Sequence, residues 1–338
     1  MRNYTDGKSA EQLIGHIGFG GPVEVDTSSV KKVLITGAGS YIGESFTSYA
    51  AKNYPSLSIS TIDMLDGSWK KADFSSYDII YHVAGIAHAD VGNVSEETKE
   101  KYYKVNTDLT VEVCQKAKAE GVKEFIFMSS MIVYGDSAPY GKQKIINNKT
   151  IPHPANFYGD SKLQADVAVR DLADDGFKVI VLRPPMIYGK GSKGNYPTLA
   201  KLAKKLPIFP RIENERSMLH IDNLCAFLCQ IMLVKEVNEK KRVEEEKENE
   251  IVLIPQNAEW TKTSEMVREI GEVCGKKVRI VGILNPAVWL GSKVPGKIGG
   301  LVNKAFGNST YEKSVSVYES IDYQKVDLKE SIRRAEGK

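Results

Sequence analysis

The stretch from Val33 to Gly43, which reads VLITGAGSYIG, constrains the fold of this chain more than any other. Its apolar, β-branched first half is typical of a buried parallel strand, and the glycines at 37, 39 and 43 predict a tight turn that opens a helix. Glycine lets the backbone approach a pyrophosphate, and the start of a helix offers unpaired N–H groups. The stretch predicts a dinucleotide-binding turn, although such turns also occur for packing alone.

A second apolar strand is predicted over 58–64 and carries Asp63 near its end. In dinucleotide-binding folds, an acidic side chain about 20 residues beyond the glycine turn accepts hydrogen bonds from the adenosine ribose and repels a 2′-phosphate. Asp63 therefore favours NAD over NADP as the cofactor. The alternative is that Asp63 and Asp66 are ordinary turn residues.

Strands and helices alternate along the first two thirds of the chain. The sequence predicts further strands over 77–85, 125–130 and 178–183, with long helices over 95–121 and 157–175. This alternation predicts an α/β fold of Rossmann type, in which a doubly wound parallel sheet is followed by a smaller C-terminal substrate-binding lobe. We expect an N-terminal extension (1–30), an NAD-binding domain (31–190) and a mainly substrate-binding lobe (191–338), from which 220–255 could return to the first domain.

Composition excludes several classes of protein. The 338 residues are 42% hydrophobic and carry a formal net charge of +3, so the chain can bury a large core and shows no basic excess for a nucleic-acid partner. The four cysteines are not grouped as zinc ligands are, and we predict no metal site. Their scattered positions suit the reduced thiols of a cytoplasmic protein. They are Cys114, Cys225, Cys229 and Cys274.

No stretch predicts a membrane anchor, and we expect no membrane partner. Residues 1–27 are charged and lack a sustained apolar run. The most apolar later stretch, 280–306, is interrupted by Pro, Gly and Lys and cannot span a bilayer as one helix, although it could be a lid, a surface patch or an interface. The charged run 235–250 predicts a solvated helix or a mobile loop.

Tyr158 and Lys162 stand four residues apart in the predicted helix 157–175, so their side chains lie on one face. A phenol with an ordinary pKa near about 10 is a poor base at neutral pH, but a nearby cation lowers that pKa. The pair could therefore act as an acid and base. Taken alone, such a pair is common on helix surfaces.

Several short motifs follow one another in an order that is far more specific than any single one of them. Together they resemble the extended short-chain dehydrogenase/reductases, in particular the NAD-dependent epimerase/dehydratase family that acts on nucleotide sugars, and the resemblance covers 33–233 well. The motifs are Thr36 to Gly43, His82 to Gly85, Val105 to Thr107, Ser129 to Gly135, Tyr158 to Lys162, Leu182 to Pro185 and Arg216 to Asp222.

The resemblance implies four catalytic residues. Tyr158 would be the catalytic acid and base, and Lys162 would hold the nicotinamide ribose while tuning the phenol. Ser130 would hydrogen-bond the reacting sugar oxygen, and Asn106 would fix the geometry behind the site. On the residues alone, Ser130 could merely end its strand and Asn106 could cap a turn.

The resemblance also implies the binding residues. Asp73 and Phe74 match positions that flank the adenine, and Arg216 matches an arginine that holds a nucleotide diphosphate. Asn195 and Tyr196 open the helix that contacts the nucleotide in relatives. The full expected NAD site is Gly37, Gly39, Ser40, Tyr41, Ile42, Gly43, Asp63, Asp73, Phe74, Val83, Ala84, Gly85, Asn106, Tyr158, Lys162 and Pro185. The expected substrate site is Ser130, Asn195, Tyr196 and Arg216.

The residues after Ser130 bear on the reaction. Dehydratases of the family carry an Asp-Glu pair there, whereas this chain has Met131 and Ile132. The resemblance then favours a 4-epimerase of UDP-hexose or UDP-N-acetylhexosamine, working through a transient 4-keto sugar. The alternatives are an NAD(P)H-dependent 4-keto-sugar reductase, which the loops 190–196 and 214–217 also resemble, and a non-catalytic dinucleotide sensor.

Relatives in this family often dimerise through the two long helices, here predicted over 95–121 and 157–175. The resemblance therefore implies a homodimer. Because the second helix also carries Tyr158, dimerisation could brace the site.

Overall fold

The computed structural model describes residues 3–19, 22–87, 94–236 and 249–338, so most of the charged run 235–250 lies outside the described residues. The helices are α1 (Ala10–Ile14), α2 (Tyr41–Asn53), α3 (Glu96–Tyr103), α4 (Leu109–Ala119), α5 (Phe157–Arg170), α6 (Asn195–Lys205), α7 (Ile221–Met232), α8 (Thr263–Val273), α9 (Asn285–Lys293), α10 (Lys297–Phe306) and α11 (Leu328–Glu336). The strands are β1 (Val23–Val25), β2 (Lys31–Thr36), β3 (Leu57–Ile62), β4 (Ile79–His82), β5 (Glu124–Met128), β6 (Ile145–Ile146), β7 (Lys178–Leu182), β8 (Met186–Tyr188), β9 (Ile208–Pro210), β10 (Met218–His220), β11 (Val234–Glu236), β12 (Glu250–Leu253), β13 (Arg279–Val281) and β14 (Thr310–Tyr311).

Six strands form the central parallel sheet, in the order β12, β7, β5, β4, β2, β3. The chain leaves β2 towards one edge to form β3 and then returns across β2 to form β4. This reversal opens a crevice at the carboxyl ends of β2 and β4, where such sheets bind their ligands. The predicted α/β fold of Rossmann type is therefore confirmed.

Helices cover both faces of the sheet. On one face, Phe46 of α2 and Phe227 of α7 are buried with the sheet residue Ile35. On the other face, Val113 of α4 and Val167 of α5 are buried against the sheet. Because both faces are covered, the strands read as nearly continuous apolar runs rather than as alternating ones. A separate, smaller apolar cluster joins α6, α8 and α11.

The helix predicted over 95–121 forms from Glu96 to Ala119 and contains one π-helical turn. The segment Lys104–Asp108 forms a π-helical turn between α3 and α4, and Ser95 caps the start of α3. A π turn widens the helix locally and shifts the direction of its side chains. It carries Asn106 and Thr107, whose side chains both bond to Ser161 of α5.

The N-terminal segment packs on α5 and on the edge of the sheet. Arg183 and Arg170 donate to backbone carbonyls in the last turn of α1, including that of Leu13. The backbone of Ile17 then pairs with Val252 of β12. The sequence offered no role for this segment, and the structure shows that it closes one side of the fold.

The apolar stretch 280–306 folds as two short helices, α9 and α10, after β13. Gly296 has a φ of 81° in the bend between the helices. Within the described ranges, no helix combines the length and the apolar character needed to cross a bilayer.

Candidate active site

The glycine turn after β2 takes the shape that a phosphate needs. Gly37 has a φ of 121°, and a Cβ atom there would lie 2.9 Å from the backbone nitrogen of Ala84. Gly39 has a φ of 72°, and the space beside its Cα is open. The Ser40 side chain caps α2 by accepting from Gly43. The turn thus offers an accessible backbone beside a helix N-terminus, which fits a pyrophosphate.

A carboxylate lies at the same turn. Oε1 of Glu44 accepts a hydrogen bond from the N–H of Gly39 at 3.3 Å. Tyr41 and Ile42 begin α2, and their side chains pack on the apolar cluster beneath the helix. Their backbone N–H groups therefore lie in the first turn, where α2 has no carbonyl to receive them.

The carboxylate of Asp63 is exposed just beyond β3, and its Oδ1 accepts from the N–H of Leu65. Its position at the carboxyl end of the sheet fits a ribose contact. Asp73 is also exposed and accepts from Ser75. The ring of Phe74 instead lies in the core, with Nζ of Lys116 4.9 Å from its centre. The ring of Phe74 is therefore turned away from any adenine, and only its backbone could contact one.

Gly85 brings the cofactor residues and the catalytic residues together. A Cβ at Gly85 would lie 3.1 Å from Oδ1 of Asn106 and 3.1 Å from Nζ of Lys162. Asn106 is fully buried, accepts from the N–H of Ile86 at 2.8 Å and donates to Ser161 at 3.1 Å. Asn106 thus ties the segment after β4 to α5. Val83 and Ala84, which precede Gly85, are both half-buried.

Tyr158 lies at the start of α5, where Asn156 caps the helix. Burial raises the pKa of Tyr158 to about 12, although a hydrogen bond with Ser130 opposes the rise. The ring of Tyr102 packs edge-on against the Tyr158 ring at 5.9 Å. The phenol is therefore protonated at neutral pH in the ligand-free chain and needs further positive charge nearby to act as a base.

Lys162 is almost fully buried one turn beyond Tyr158. Its Nζ donates to the carbonyl of Met128 at 3.0 Å and lies 4.8 Å from the centre of the Phe127 ring. Burial lowers the pKa of Lys162 to about 8, while Asp166 opposes the change. The ammonium group is thus held under the site by β5 rather than by the phenol.

A buried ionic network lies beneath Lys162, and sequence reasoning missed it. Arg183 donates to both carboxylate oxygens of Asp166 at 2.8 Å, and Arg170 donates to the same carboxylate at 2.9 Å. Arg183 also donates to the hydroxyl of Tyr134. The signal was present, since residues 158, 162, 166 and 170 are spaced by four and therefore share one helix face.

His82 is a second missed residue, because the sequence gave it only a place in a motif. Its ring is fully buried, with Nδ1 2.7 Å from the hydroxyl of Thr36 and Nε2 3.1 Å from that of Thr110. Thr110 in turn donates to the carbonyl of Asn106. Burial lowers the pKa of His82 to about 3, so the ring is neutral and links β2 to the π turn.

The expected substrate-binding residues lie on separate elements of the chain. Arg216 is half-buried and donates to the carbonyl of Lys304 at 2.7 Å and to Ser137 at 3.2 Å, and burial lowers its pKa. Asn195 is exposed at the start of α6. Tyr196 is buried, and its hydroxyl donates to Glu336.

Two of the expected contact residues, Tyr196 and Pro185, are buried. The ring of Tyr196 stacks on Tyr188 at 5.4 Å in the small C-terminal cluster. Its ring and its hydroxyl therefore both have partners within the chain. Pro185 is buried behind Pro184, whose carbonyl accepts from the N–H of Met131. That bond ties the end of β7 to the segment that follows Ser130.

Comparison with known proteins gives the family. A model of the NAD dependent epimerase/dehydratase family matches residues 33–244. The chain belongs to this family. Its cofactor is NAD, and the glycine turn and Asp63 fit that group. UDP-glucose 4-epimerase of Vibrio cholerae is 30% identical over 263 residues, which cover 76% of this chain and 74% of that protein.

Two further similar proteins differ in their named substrates. N-acetyl-alpha-D-glucosaminyl-diphospho-ditrans,octacis-undecaprenol 4-epimerase of Escherichia coli O157:H7 is 28% identical over 215 residues, or 58% of this chain and 61% of that protein. The structure of UDP-glucuronic acid 4-epimerase from Bacillus cereus with NAD covers 90% of this chain and 94% of its own, with a TM-score of 0.62 and 16% identity. At that identity, the structural likeness supports the extended short-chain dehydrogenase/reductase fold.

Proposed function

We propose that this chain is an NAD-dependent nucleotide-sugar 4-epimerase that acts on a UDP-hexose or a UDP-N-acetylhexosamine. The observation that carries the proposal is the grouping of Tyr158, Ser130 and Lys162 beside Gly85. Ser130 lies near enough to the phenol of Tyr158 to oppose the rise of its pKa, and the ammonium group of Lys162 approaches Gly85. This grouping can move a proton on and off a sugar hydroxyl next to the cofactor crevice.

Each of the three residues has its own role in the proposed reaction. Tyr158 takes the proton from the C4 hydroxyl as hydride leaves the same carbon, and it later returns that proton. Ser130 donates a hydrogen bond to the reacting oxygen, and Lys162 holds a cofactor ribose while its charge favours the phenolate. NAD, when bound, would supply the reversible hydride acceptance that this chemistry needs. Epimerisation requires the 4-keto sugar to turn over between the two transfers.

The segment after Ser130 supports epimerisation over dehydration. Elimination of water needs an additional acid and base, but Met131 and Ile132 carry no ionisable group. Met131 lies in a 3-10 helix, and its sulfur accepts a hydrogen bond from Ser309 at 3.4 Å. The oxidised sugar would therefore meet no second proton donor from these two positions.

We propose that Arg216 binds the diphosphate of the substrate. Its guanidinium has more N–H donors than its two bonds to Lys304 and Ser137 use. The names of the two curated relatives both describe a sugar on a diphosphate, one carried by uridine and the other by undecaprenol. We propose the nucleotide as the carrier here.

Proton NMR tests the proposal directly. The purified chain is incubated with UDP- and dTDP-sugars and a catalytic amount of NAD, and formation of a C4 epimer without consumption of NAD is expected. Turnover of 4-keto sugars alone, with stoichiometric use of reduced cofactor, would instead identify a reductase. Silence in both assays would favour a dinucleotide sensor, and conversion of only a lipid-diphosphate sugar would change the carrier.

Three further expectations belong to this proposal. We propose that 31–190 bind NAD, together with the returning segment 220–255, and that the rest of 191–338 binds substrate. We also propose a cytoplasmic location.

A homodimer through α3, α4 and α5 stays a prediction, and light scattering tests it. The outward positions of α3, α4 and the π turn between them are mainly polar, so such a dimer would rest on polar contacts. They include Lys101, Lys104, Asp108, Glu112 and Gln115.

A further inference from the structure

The α9–α10 hairpin, residues 283–306, turns large apolar side chains towards solvent. The exposed fractions are 84% for Ile283, 52% for Trp289, 60% for Leu290 and 67% for Leu301. No residue of α9 is fully buried. Single exposed apolar residues are ordinary, but a group of them within one small element marks an interaction surface.

The charged residues of the hairpin and of the chain that flanks it have one sign. The sequence contains no Asp or Glu between Glu272 and Glu312, a stretch that includes the whole hairpin. Lys293 and Lys304 are exposed, and neither forms an ion pair with a described residue. The basic residues of the stretch are Lys276, Lys277, Arg279, Lys293, Lys297 and Lys304. The hairpin therefore combines exposed apolar groups with lysines and contains no acidic residue of its own.

The hairpin is attached to the substrate side of the candidate site. The carbonyl of Lys304 accepts from Arg216, the proposed diphosphate ligand. Oδ1 of Asn303 accepts from the N–H of Tyr140, in the loop that follows the segment containing Ser130. Phe306 packs edge-on against Phe209 at 6.0 Å and anchors the end of α10. A surface that bound the hairpin would thus lie beside the mouth of the site.

We propose that the α9–α10 hairpin binds the anionic surface of a lipid bilayer. Exposed Trp and Leu side chains enter the boundary between headgroups and acyl chains, and lysines at the same level attract anionic headgroups. A symmetric pairing of two hairpins would bring lysines against lysines, which disfavours a second copy as the occupant. Such binding needs no spanning helix, but it departs from the sequence-based expectation of no membrane partner. It also goes beyond the proposed sugar chemistry.

Flotation of the full chain with lipid vesicles tests the proposal. We expect the chain to float with vesicles of phosphatidylcholine mixed with phosphatidylglycerol, to bind phosphatidylcholine vesicles far more weakly, and to dissociate as salt is raised. Tryptophan fluorescence should be quenched by brominated lipid in the wild type and much less in Trp289→Phe. The assay uses neither NAD nor sugar, so its failure would leave the epimerase proposal unaffected.

Matched variants separate the hairpin from the rest of the surface. Trp289→Ser with Leu290→Ser should reduce vesicle binding about tenfold or more, since two interfacial anchors are lost. The control pair Leu65→Ser and Val317→Ser changes side chains that are 94% and 73% exposed elsewhere, and it should bind as the wild type does.

Charge reversal provides a second matched pair. Lys293→Glu with Lys304→Glu should weaken binding to anionic vesicles by about tenfold or more, whereas Lys52→Glu with Lys71→Glu changes the net charge equally and should not. Unchanged flotation of the hairpin variants would overturn the proposal. So would an oligomer in light scattering that the serine variant dissociates, because a second copy would then cover the hairpin.

Discussion

Helix α5 and the α9–α10 hairpin represent two extremes of burial in one chain. Every residue of α5 from Ser161 to Arg170 is buried, including Lys162, Asp166 and Arg170. In contrast, α9 has no fully buried residue and exposes Trp289 and Leu290. The difference shows that the catalytic groups sit on an element enclosed by its neighbours, while the hairpin adds surface beside the site and little core.

The N-terminal segment explains why α5 is enclosed. The guanidinium groups of Arg170 and Arg183 reach from α5 and β7 to carbonyls of α1, and Lys8 pairs with Asp171 at the end of α5. Leu13 and Ile17 pack on the apolar cluster that contains Leu163 and Val167 of α5. The lysine and the phenol are therefore held on a helix with little freedom to move.

The largest expected effect is on catalysis. Tyr158→Phe removes the proton donor and acceptor and should lower kcat by about 100-fold to 10,000-fold, with NAD binding retained. The matched control is Tyr103→Phe, because that hydroxyl bonds to Asp160 on the neighbouring surface. The control should keep its rate within a few-fold. A Tyr158→Phe enzyme with substantial turnover would remove this phenol from the mechanism.

The next effect is on the network under the site. Asp166→Asn leaves Arg183 buried without the carboxylate that it pairs with, while Arg170 keeps its pair with Glu250, and the free energy of unfolding should fall by about 3–5 kcal/mol. Asp171→Asn, which breaks the more exposed pair with Lys8, should cost about 1 kcal/mol or less. Urea unfolding followed by circular dichroism measures both. Equal losses would contradict the contrast between an enclosed and an exposed ion pair.

These same residues show how much of the fold and of the candidate site the sequence predicts. The glycine turn, the sheet strands and the Tyr158 to Lys162 spacing follow from local periodicity and from short-range geometry. The predicted strands of the sheet all form, but α5 ends at Arg170, short of the predicted 175. The sequence did not predict the ion pair between Asp166 and Arg183, the burial of Phe74 or the attachment of α1. They depend on which loop or helix covers each face, and nothing in local spacing specifies that.

A matched pair of core and hairpin truncations sharpens the comparison. Leu163→Ala in α5 creates a cavity and should cost about 2–5 kcal/mol of unfolding free energy. Leu290→Ala in α9 removes an exposed side chain and should change that free energy by about 0.5 kcal/mol or less. Chemical denaturation of the two variants is the measurement. A large loss in Leu290→Ala would mean that the hairpin contributes to the core.

The most gradual effect is a slope of stability with pH. Burial lowers the pKa of His82 from 6.5 to about 3, so between these values the unfolded chain binds a proton that the folded chain does not. Stability should therefore fall as the pH falls below about 6.5, by up to about 1.4 kcal/mol per pH unit for this group. His220, with a pKa lowered to about 4 chiefly by burial, acts in the same direction.

His82→Gln should flatten that slope between about pH 6.5 and pH 4.5, since its contribution to proton uptake is lost. The control replaces the exposed His153 by Gln, which leaves the buried ring of His82 in place. Unfolding midpoints measured across this pH range give the answer. An unchanged slope in His82→Gln would mean that the buried ring does not govern the loss of stability.

Retention of an isotope at C4 tests the central claim of a reversible 4-epimerase most directly. UDP-glucose carrying deuterium at C4 is incubated with the purified chain and a trace of NAD, and the products are examined by NMR. The account predicts UDP-galactose that keeps deuterium at C4, because the same hydride leaves and returns. A galactose product without deuterium at C4, or no epimer from any nucleotide sugar, would contradict it.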